Sequence, residues 1–239
     1  VGPRRGKFIT FEGLDGCGKS TQLERIAGKL KDAGLSVTAT REPGGTATGD
    51  KIRQLLLDTR TAGLNPTAEL ALMFASRVQH MNEVIIPALA AGNVVLCDRF
   101  TDSSEAYQGG GRKLGSKVVL ELHRVLCGDL SPDLTILMDS DVAASVERAR
   151  RRNQARSREE AGDESRFERE NRAFFTRVRD AYMEIAKRDP QRVALVDARG
   201  TPDQTHRKIL EIVSRKLGLV NSRSRPGHKD DDAFLRLSR

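Results

Sequence analysis

The stretch Gly13-Leu14-Asp15-Gly16-Cys17-Gly18-Lys19-Ser20 fits the phosphate-cradling pattern GxxxxGK[ST] in full. Its glycines let backbone N–H groups turn toward phosphate oxygens. A helix starting at its end adds the positive end of its dipole. Lys19 is placed to reach the β/γ oxygens of a nucleoside triphosphate, and Ser20, followed by Thr21, to ligate Mg²⁺. Cys17 reads as a small residue that fits the loop. Such a loop holds a triphosphate but leaves the acceptor of the terminal phosphate open: water, a protein, a nucleic acid or a small molecule.

Other residues bear on that choice. Asp98 and Arg99 close the apolar run VVLCDR, where Asp98 can hold the Mg²⁺ water shell, orient an acceptor or cap the next helix. REPGGT (41–46) offers a planar guanidinium fork at Arg41, an acid at Glu42, and two glycines that permit close backbone approach. Arg77 follows Phe74 by one helical turn, a pairing that suits a flat base, and equally a core aromatic beside a surface cation. In DRFTDSSEAYQGGGR (98–112), Ser104 and Gln108 share a face if helical, and an amide can pair with both a donor and an acceptor on a base edge. Nine arginines fall between Arg148 and Arg172, either a solvated charged helix pair or a closing lid with an arginine over the transferring phosphoryl group. His80, His123, His206 and His228 are dispersed, without metal spacing, and read as structural or surface residues.

These residues need a scaffold, and the pattern supplies one. FITFE (8–12), SVTAT (36–40), NVVLCD (93–98), DLTILMD (133–139) and RVALVDA (192–198) read as five strands separated by helical stretches. That alternation predicts an α/β fold with a five-stranded parallel sheet flanked by helices. A helix is expected from near Gly18 to Gly34, and a longer one from Pro66 to Gly92, broken or kinked near Pro87. The expected organisation is one domain over 1–219, an Arg-rich lid at about 148–170, and a charged, disordered tail over 220–239.

Composition narrows the classes. The chain has 239 residues, 38% hydrophobic and 31% charged, as in a soluble globular protein. No apolar run reaches the ~18 residues that span a bilayer, and the polar, basic opening VGPRRGK lacks a signal-peptide pattern. Three scattered cysteines argue against a disulfide scaffold or a zinc site and suit a reducing cytosol. The net charge of +8 suits nucleic acid or phosphorylated small ligands. With 4% aromatics and no Trp, no stacking stripe for single strands is visible.

At FEGLDGCGKST, TREPGGT, ASRVQH, CDRFTDSSEAYQGGGR and DLTILMD with its Arg-rich lid, the chain resembles the thymidylate kinase (dTMP kinase) family in its bacterial form, over about residues 6–217. The resemblance implies a P-loop nucleotide kinase fold, cytoplasmic location, a homodimer through long helices, and transfer of the γ-phosphoryl of ATP to dTMP with Mg²⁺, as in dTTP synthesis. Neither nucleic acid nor membrane is an expected partner. By position, Gly13 to Thr21 bind ATP, with Leu14, Gly16 and Gly18 in the loop, and Ser20 and Asp98 serve the metal. Asp15 and Glu12 face the acceptor phosphate and metal. Arg41, Glu42, Arg53 and Arg99 belong to the acceptor site, the three arginines as phosphate contacts. Phe74 matches the residue that stacks on thymine, while Arg77 and Gln108, helped by Ser104, bond its edge. Tyr107 matches the residue beside the sugar 2′ position that disfavours a ribose. Many members carry Phe four residues before the arginine; here that position is Met73, so either Met73 or Phe74 takes the stacking place. The lid carries an insert, SREEAGDES, before Arg166. The phosphate loop has no arginine, so the resemblance implies catalysis by a lid arginine, among Arg148, Arg152 and Arg166, alongside Lys19, Asp15 and Arg99. Arg156 and Arg158, at the insert, are expected to matter less.

Other readings fit less well. YQGGGR argues against a UMP/CMP or adenylate kinase. A GTP-dependent switch needs an NKxD base-reading motif, which does not occur. A basic nucleic-acid binder with a vestigial loop would show salt-dependent retention without turnover.

Overall fold

Five β-rich runs form β1 (Phe8–Glu12), β2 (Val37–Arg41), β3 (Val94–Asp98), β4 (Leu134–Asp139) and β5 (Val193–Asp197). In the computed structural model, which describes residues 5–61, 63–157, 166–167, 169–221 and 235–237, they make one sheet in the order β2-β3-β1-β4-β5. All neighbours run parallel, with Phe11 opposite Asp98 and Ile136, and Arg41 opposite Asp98. Strands β1 and β4 are buried along their whole length, and β3 up to its last residue, as strands covered on both faces must be.

Alternation along the strands divides the core. Ile9 and Phe11 face one side, where α1 (Lys19–Asp32) contributes Leu23, Ile26 and Leu30 and α9 (Pro202–Leu217) contributes Ile209 and Val213. Phe8, Val95 and Cys97 face the other, against Leu70 and Phe74 of α3 (Pro66–His80), Leu89 of α4 (Ile86–Ala90) and Val119 of α6 (Ser116–Cys127). Helix α2 (Ala47–Leu57), capped by the Thr46 side chain, packs beside α3. A widened π turn, Met81–Ile85, joins α3 to α4. Pro87 follows at once; it has no N–H and its ring crowds the preceding turn, which accounts for a break in the regular ladder here.

Between β3 and β4 the short α5 (Thr101–Ser104) passes into a second π segment, Glu105–Gly111. The three glycines that close it let α8 (Arg172–Arg188) come near. A Cβ on Gly110 would lie 2.7 Å from Cβ of Ala181, and one on Gly111 would lie 2.6 Å from the Phe174 ring. Helix α7 (Val142–Ser157) leaves β4 and crosses the loop after β1. The chain leaves β1 for β2 on one side and reaches β4 on the other. The carboxyl edge around β1 is therefore the crevice where such sheets bind ligands.

β6 (Leu219–Asn221) pairs antiparallel with β7 (Leu235–Leu237), and Leu219 joins the core beside α9; the rest of the expected tail lies outside the described residues. Arg158 and most of the insert lie outside the described residues, as does the Arg156 side chain. No helix among the described residues is long and apolar enough to cross a membrane.

Candidate active site

The loop from Gly13 to Ser20 sits between β1 and the first turn of α1, at the carboxyl edge of the sheet. Gly16 and Gly18 have φ of 79° and 99°, a left-handed backbone that a side chain would strain. Gly16 is doubly constrained, since a Cβ there would strike the Ser145 carbonyl of α7 at 2.1 Å. Leu14 and Cys17 are buried and anchor the loop. Burial pushes the Cys17 thiol up, away from the reactive thiolate. Lys19 Nζ donates to the carbonyls of Leu14 at 2.8 Å and Gly13 at 3.2 Å. Ser20 Oγ donates to Asp98 Oδ2 at 2.6 Å, joining two hard oxygen donors at one corner beside the loop. No cluster of three or more His, Cys, Asp or Glu able to hold a metal occurs among the described residues. That donor set suits a cation that keeps most of its waters and takes its remaining ligands from phosphate oxygens, as Mg²⁺ does.

Arg99 is the centre of the second half. It has φ of 76°, unusual for a residue with a side chain, and it follows the end of β3 directly. Its guanidinium binds Asp15 at 2.8 Å, Ser103 at 2.8 Å, Tyr182 at 3.1 Å and Tyr107 at 3.2 Å. The chain has only two tyrosines, and both converge here. Tyr107 also donates to Asp15 at 3.1 Å. Burial works against the charge on Asp15, but Arg99 and Lys19 outweigh it and, with Arg152, hold its carboxyl well below the usual range. Glu12 behaves in the opposite way. Burial and the nearby Asp102 charge push its carboxyl up to about 7, against the pull of Arg99. Its placement corrects the expectation that it faces the acceptor phosphate. Glu12 is fully buried, and its oxygens accept from the Phe100 N–H at 2.7 Å, Ser103 at 2.5 Å and Tyr182 at 2.9 Å. It fastens the turn that carries Arg99.

The REPGGT turn brings arginines together. A Cβ on Gly44 would lie 3.6 Å from both Arg41 Nε and Arg53 Cδ, so both side chains flank this turn. Glu42, expected in the acceptor site, turns the other way. Its buried carboxylate accepts from Arg77 Nε at 2.7 Å and meets His80 Nδ1 at 3.0 Å. Arg77 Nη2 donates to Ser104 Oγ at 2.9 Å and the Phe100 carbonyl at 3.1 Å. Nη1 is buried without a hydrogen-bond partner among the described residues. Phe74 is fully buried in the core against α6, with the Arg77 guanidinium 4.7 Å from its ring centre. Stacking on a ligand is therefore corrected for Phe74: the ring is enclosed on its core side and covered by Arg77. Met73 packs instead with Leu57 against the cluster containing Tyr107, on the site side of α3. Gln108 Nε2 donates to Glu69 at 2.8 Å.

The lid arginines separate. Arg148 donates to the Gly16 carbonyl at 2.7 Å and to Ser145 at 3.0 Å, directly on the phosphate loop. Arg152 lies one turn further along α7, and its charge reaches Asp15. Arg166 is elsewhere: buried, it binds the Leu56 carbonyl and Glu69 Oε2, the latter at 2.8 Å. Arg166, expected over the phosphate loop, is here held between α2 and α3, and its Nη2 is buried without a hydrogen-bond partner among the described residues. Sequence reading missed Ser103, Tyr182, Glu69 and Arg112. Ser103 stood within a stretch already noted for its hydroxyls, and the scarcity of tyrosine was the one signal for Tyr182.

Comparison with known proteins identifies the family. The family model for thymidylate kinase matches residues 11–209. The thymidylate kinase of Pelobacter propionicus is 48% identical over 208 residues, 87% of this chain and 94% of that protein. That of Geobacter sulfurreducens is 45% identical over 212 residues, 89% and 98% of the two chains. The crystal structure of thymidylate kinase from Ehrlichia chaffeensis superposes with a TM-score of 0.68 at 31% identity, covering 88% of this chain and 99% of that one. By sequence and fold, the chain belongs to the thymidylate kinase family.

Proposed function

We propose that this chain transfers the γ-phosphoryl group of ATP to dTMP, forming ADP and dTDP. The observation that carries the acceptor assignment is Arg77: a buried guanidinium fixed by Glu42, Ser104 and Phe100, with one nitrogen left unpaired among the described residues. A buried donor without a partner costs about 1–3 kcal/mol, and a carbonyl at O4 of thymine would satisfy it. Gln108 meets the same edge, and Met73 covers the base face. Tyr107, tied to Asp15, crowds the sugar.

The reaction moves one phosphoryl group. An oxygen of the dTMP phosphate attacks the γ-phosphorus, the β–γ bridging bond breaks, and its electrons leave on ADP. Charge spreads over the three equatorial oxygens on the way. Loop N–H groups and Lys19 hold the donor phosphates, Lys19 exchanging two carbonyl partners for phosphate oxygens. Arg99, fixed by Asp15 and the two tyrosines, and Arg41 with Arg53, orient the acceptor phosphate. Ser20 and Asp98 would hold Mg²⁺, which when bound neutralises charge on the β- and γ-phosphates. Arg148 and Arg152 close over the loop as part of a lid spanning about 148–170, in a single kinase domain over 1–219.

The three buried, unlinked cysteines suit a reducing cytoplasm. The outward apolar residues of α6, Val118, Leu120, Val125 and Leu126, support a homodimer. The test is ADP release with dTMP, dUMP, dCMP, UMP and AMP. A single methyl separates thymine from uracil, worth ~1–3 kcal/mol, so dTMP is expected to exceed dUMP without excluding it. Cytosine offers a donor where Arg77 also donates, so dCMP should fare far worse. Equal kcat/KM for dTMP and dCMP sinks the assignment.

A further inference from the structure

Glu69 stands in the first turn of α3, wholly removed from solvent. Three groups converge on its carboxylate. Gln108 Nε2 donates to Oε1 at 2.8 Å, Arg166 Nη1 to Oε2 at 2.8 Å, and Arg112 Nε reaches both oxygens at 3.3 Å. The far end of Arg112 binds Glu170. Two carboxylates thus face two guanidinium groups, the balance that buried charges need.

The consequence lies in the amide. A carboxylate accepts hydrogen bonds and donates none, so Gln108 has to turn its NH₂ toward Glu69 and its carbonyl oxygen the opposite way. The orientation is chemically dictated. An amide oxygen complements the N3–H of thymine, as the Arg77 donor complements O4. On cytosine both signs reverse: N3 is bare and the 4-position carries NH₂. An amide free to turn would offer NH₂ to cytosine N3 and accept the wrong base.

We propose that Glu69 is a specificity-setting positioning residue: by accepting from Gln108 Nε2 it locks the amide oxygen toward the base, with Arg112 and Arg166 supplying the charge that keeps the lock in place. The inference rests on the reading of Gln108 as a base contact. A glutamine at position 69 could present either its oxygen or its NH₂, so Glu69→Gln releases the lock. It also leaves Arg166 under-compensated, so the double variant Glu69→Gln/Arg166→Met, which removes that charge, is measured beside it, and Gln108→Ala beside both. Thermal unfolding first establishes that each variant is folded. Loss of one oriented hydrogen bond is expected to raise KM for dTMP about tenfold and lower the dTMP-to-dCMP ratio of kcat/KM about tenfold. KM for ATP should stay within about twofold, a split that general loosening would not produce. If the folded double variant keeps the wild-type ratio while Gln108→Ala lowers it, Glu69 is structural only and the proposal fails. If Gln108→Ala also keeps the ratio, the base contact itself is wrong and the inference falls with it.

Discussion

Lys19 rests on the carbonyl oxygens of its own loop, at 2.8 and 3.2 Å from Leu14 and Gly13. Phosphate oxygens displace such partners readily, because they add a negative charge that attracts the ammonium where the carbonyls carry none. Lys19→Ala should therefore lower kcat by about 10³-fold or more while leaving far-ultraviolet circular dichroism and the unfolding midpoint nearly unchanged. A folded variant with near-normal kcat would remove the loop from the chemistry. Glu12 calls for a different measurement. Its folded carboxyl is raised to about 7 from an ordinary 4.5, so the folded state binds a proton that the unfolded chain releases. The contribution is fully present below about pH 4.5 and is lost as pH rises toward 7. Urea titrations of wild type and Glu12→Gln across that window should show the variant gaining relative stability with pH; a difference that stays constant contradicts the raised value. At this scale the sequence was legible where a motif dictates backbone, as at Gly16, Lys19 and Arg99. It misled where packing decides which way a side chain turns. Glu42 follows Arg41 in the same turn, yet one flanks the crevice and the other is drawn inward by Arg77 and His80.

Periodicity sets elements, and all five parallel strands lie within a residue or so of the runs FITFE, SVTAT, NVVLCD, DLTILMD and RVALVDA. Less legible was the helix face. Phe74 and Met73 differ by one position, about a quarter turn, and only the contact with α6 settles that Phe74 belongs to the core. The Arg-rich segment was similarly ambiguous, because composition cannot tell a cation over phosphate from one that ties two helices together. The structure separates them, and kinetics should too. Arg148→Ala and Arg152→Ala touch the loop side, so at least one should lose kcat, by up to ~10³-fold, with KM for both nucleotides little changed. Arg166→Ala strands part of the charge on buried Glu69, so it should destabilise the fold by about 3–5 kcal/mol, read from urea midpoints. A stable Arg166→Ala that loses kcat selectively would reverse this division.

At the scale of the molecule, the sheet edge gathers cations around a site for two polyanionic nucleotides, which gives the net charge of +8 a use that needs no nucleic acid. The outward face of α6 has a different logic. Leu122 and Val119 turn inward, while Val118 and Val125, seven residues apart, stand on one outer stripe, Val125 at 70% exposure. Leu126 adjoins it at the end of the helix, while Leu120, two residues from Val118, stands exposed on the other side of α6, and the ion pair of Lys117 with Glu121 borders the stripe. Nothing among the described residues of the monomer rewards this placement. Apolar surface returns ~25 cal/mol per Å² only when it leaves water, and a stable pairing buries ~800 Å² on each side. A second copy presenting the same stripe would supply that cover. Sedimentation of the wild type at micromolar concentration should therefore give twice the chain mass of 26.4 kDa. Val125→Asp would bury a carboxylate without a partner and should weaken association by about 100-fold or more. The Asp15–Arg99 and Arg77 constellations come from one chain, so a monomeric variant should retain dTMP kinase turnover at concentrations where the wild type is paired. A wild type that sediments as a monomer would refute the homodimer, and a Val125→Asp variant that still pairs would move the interface off α6.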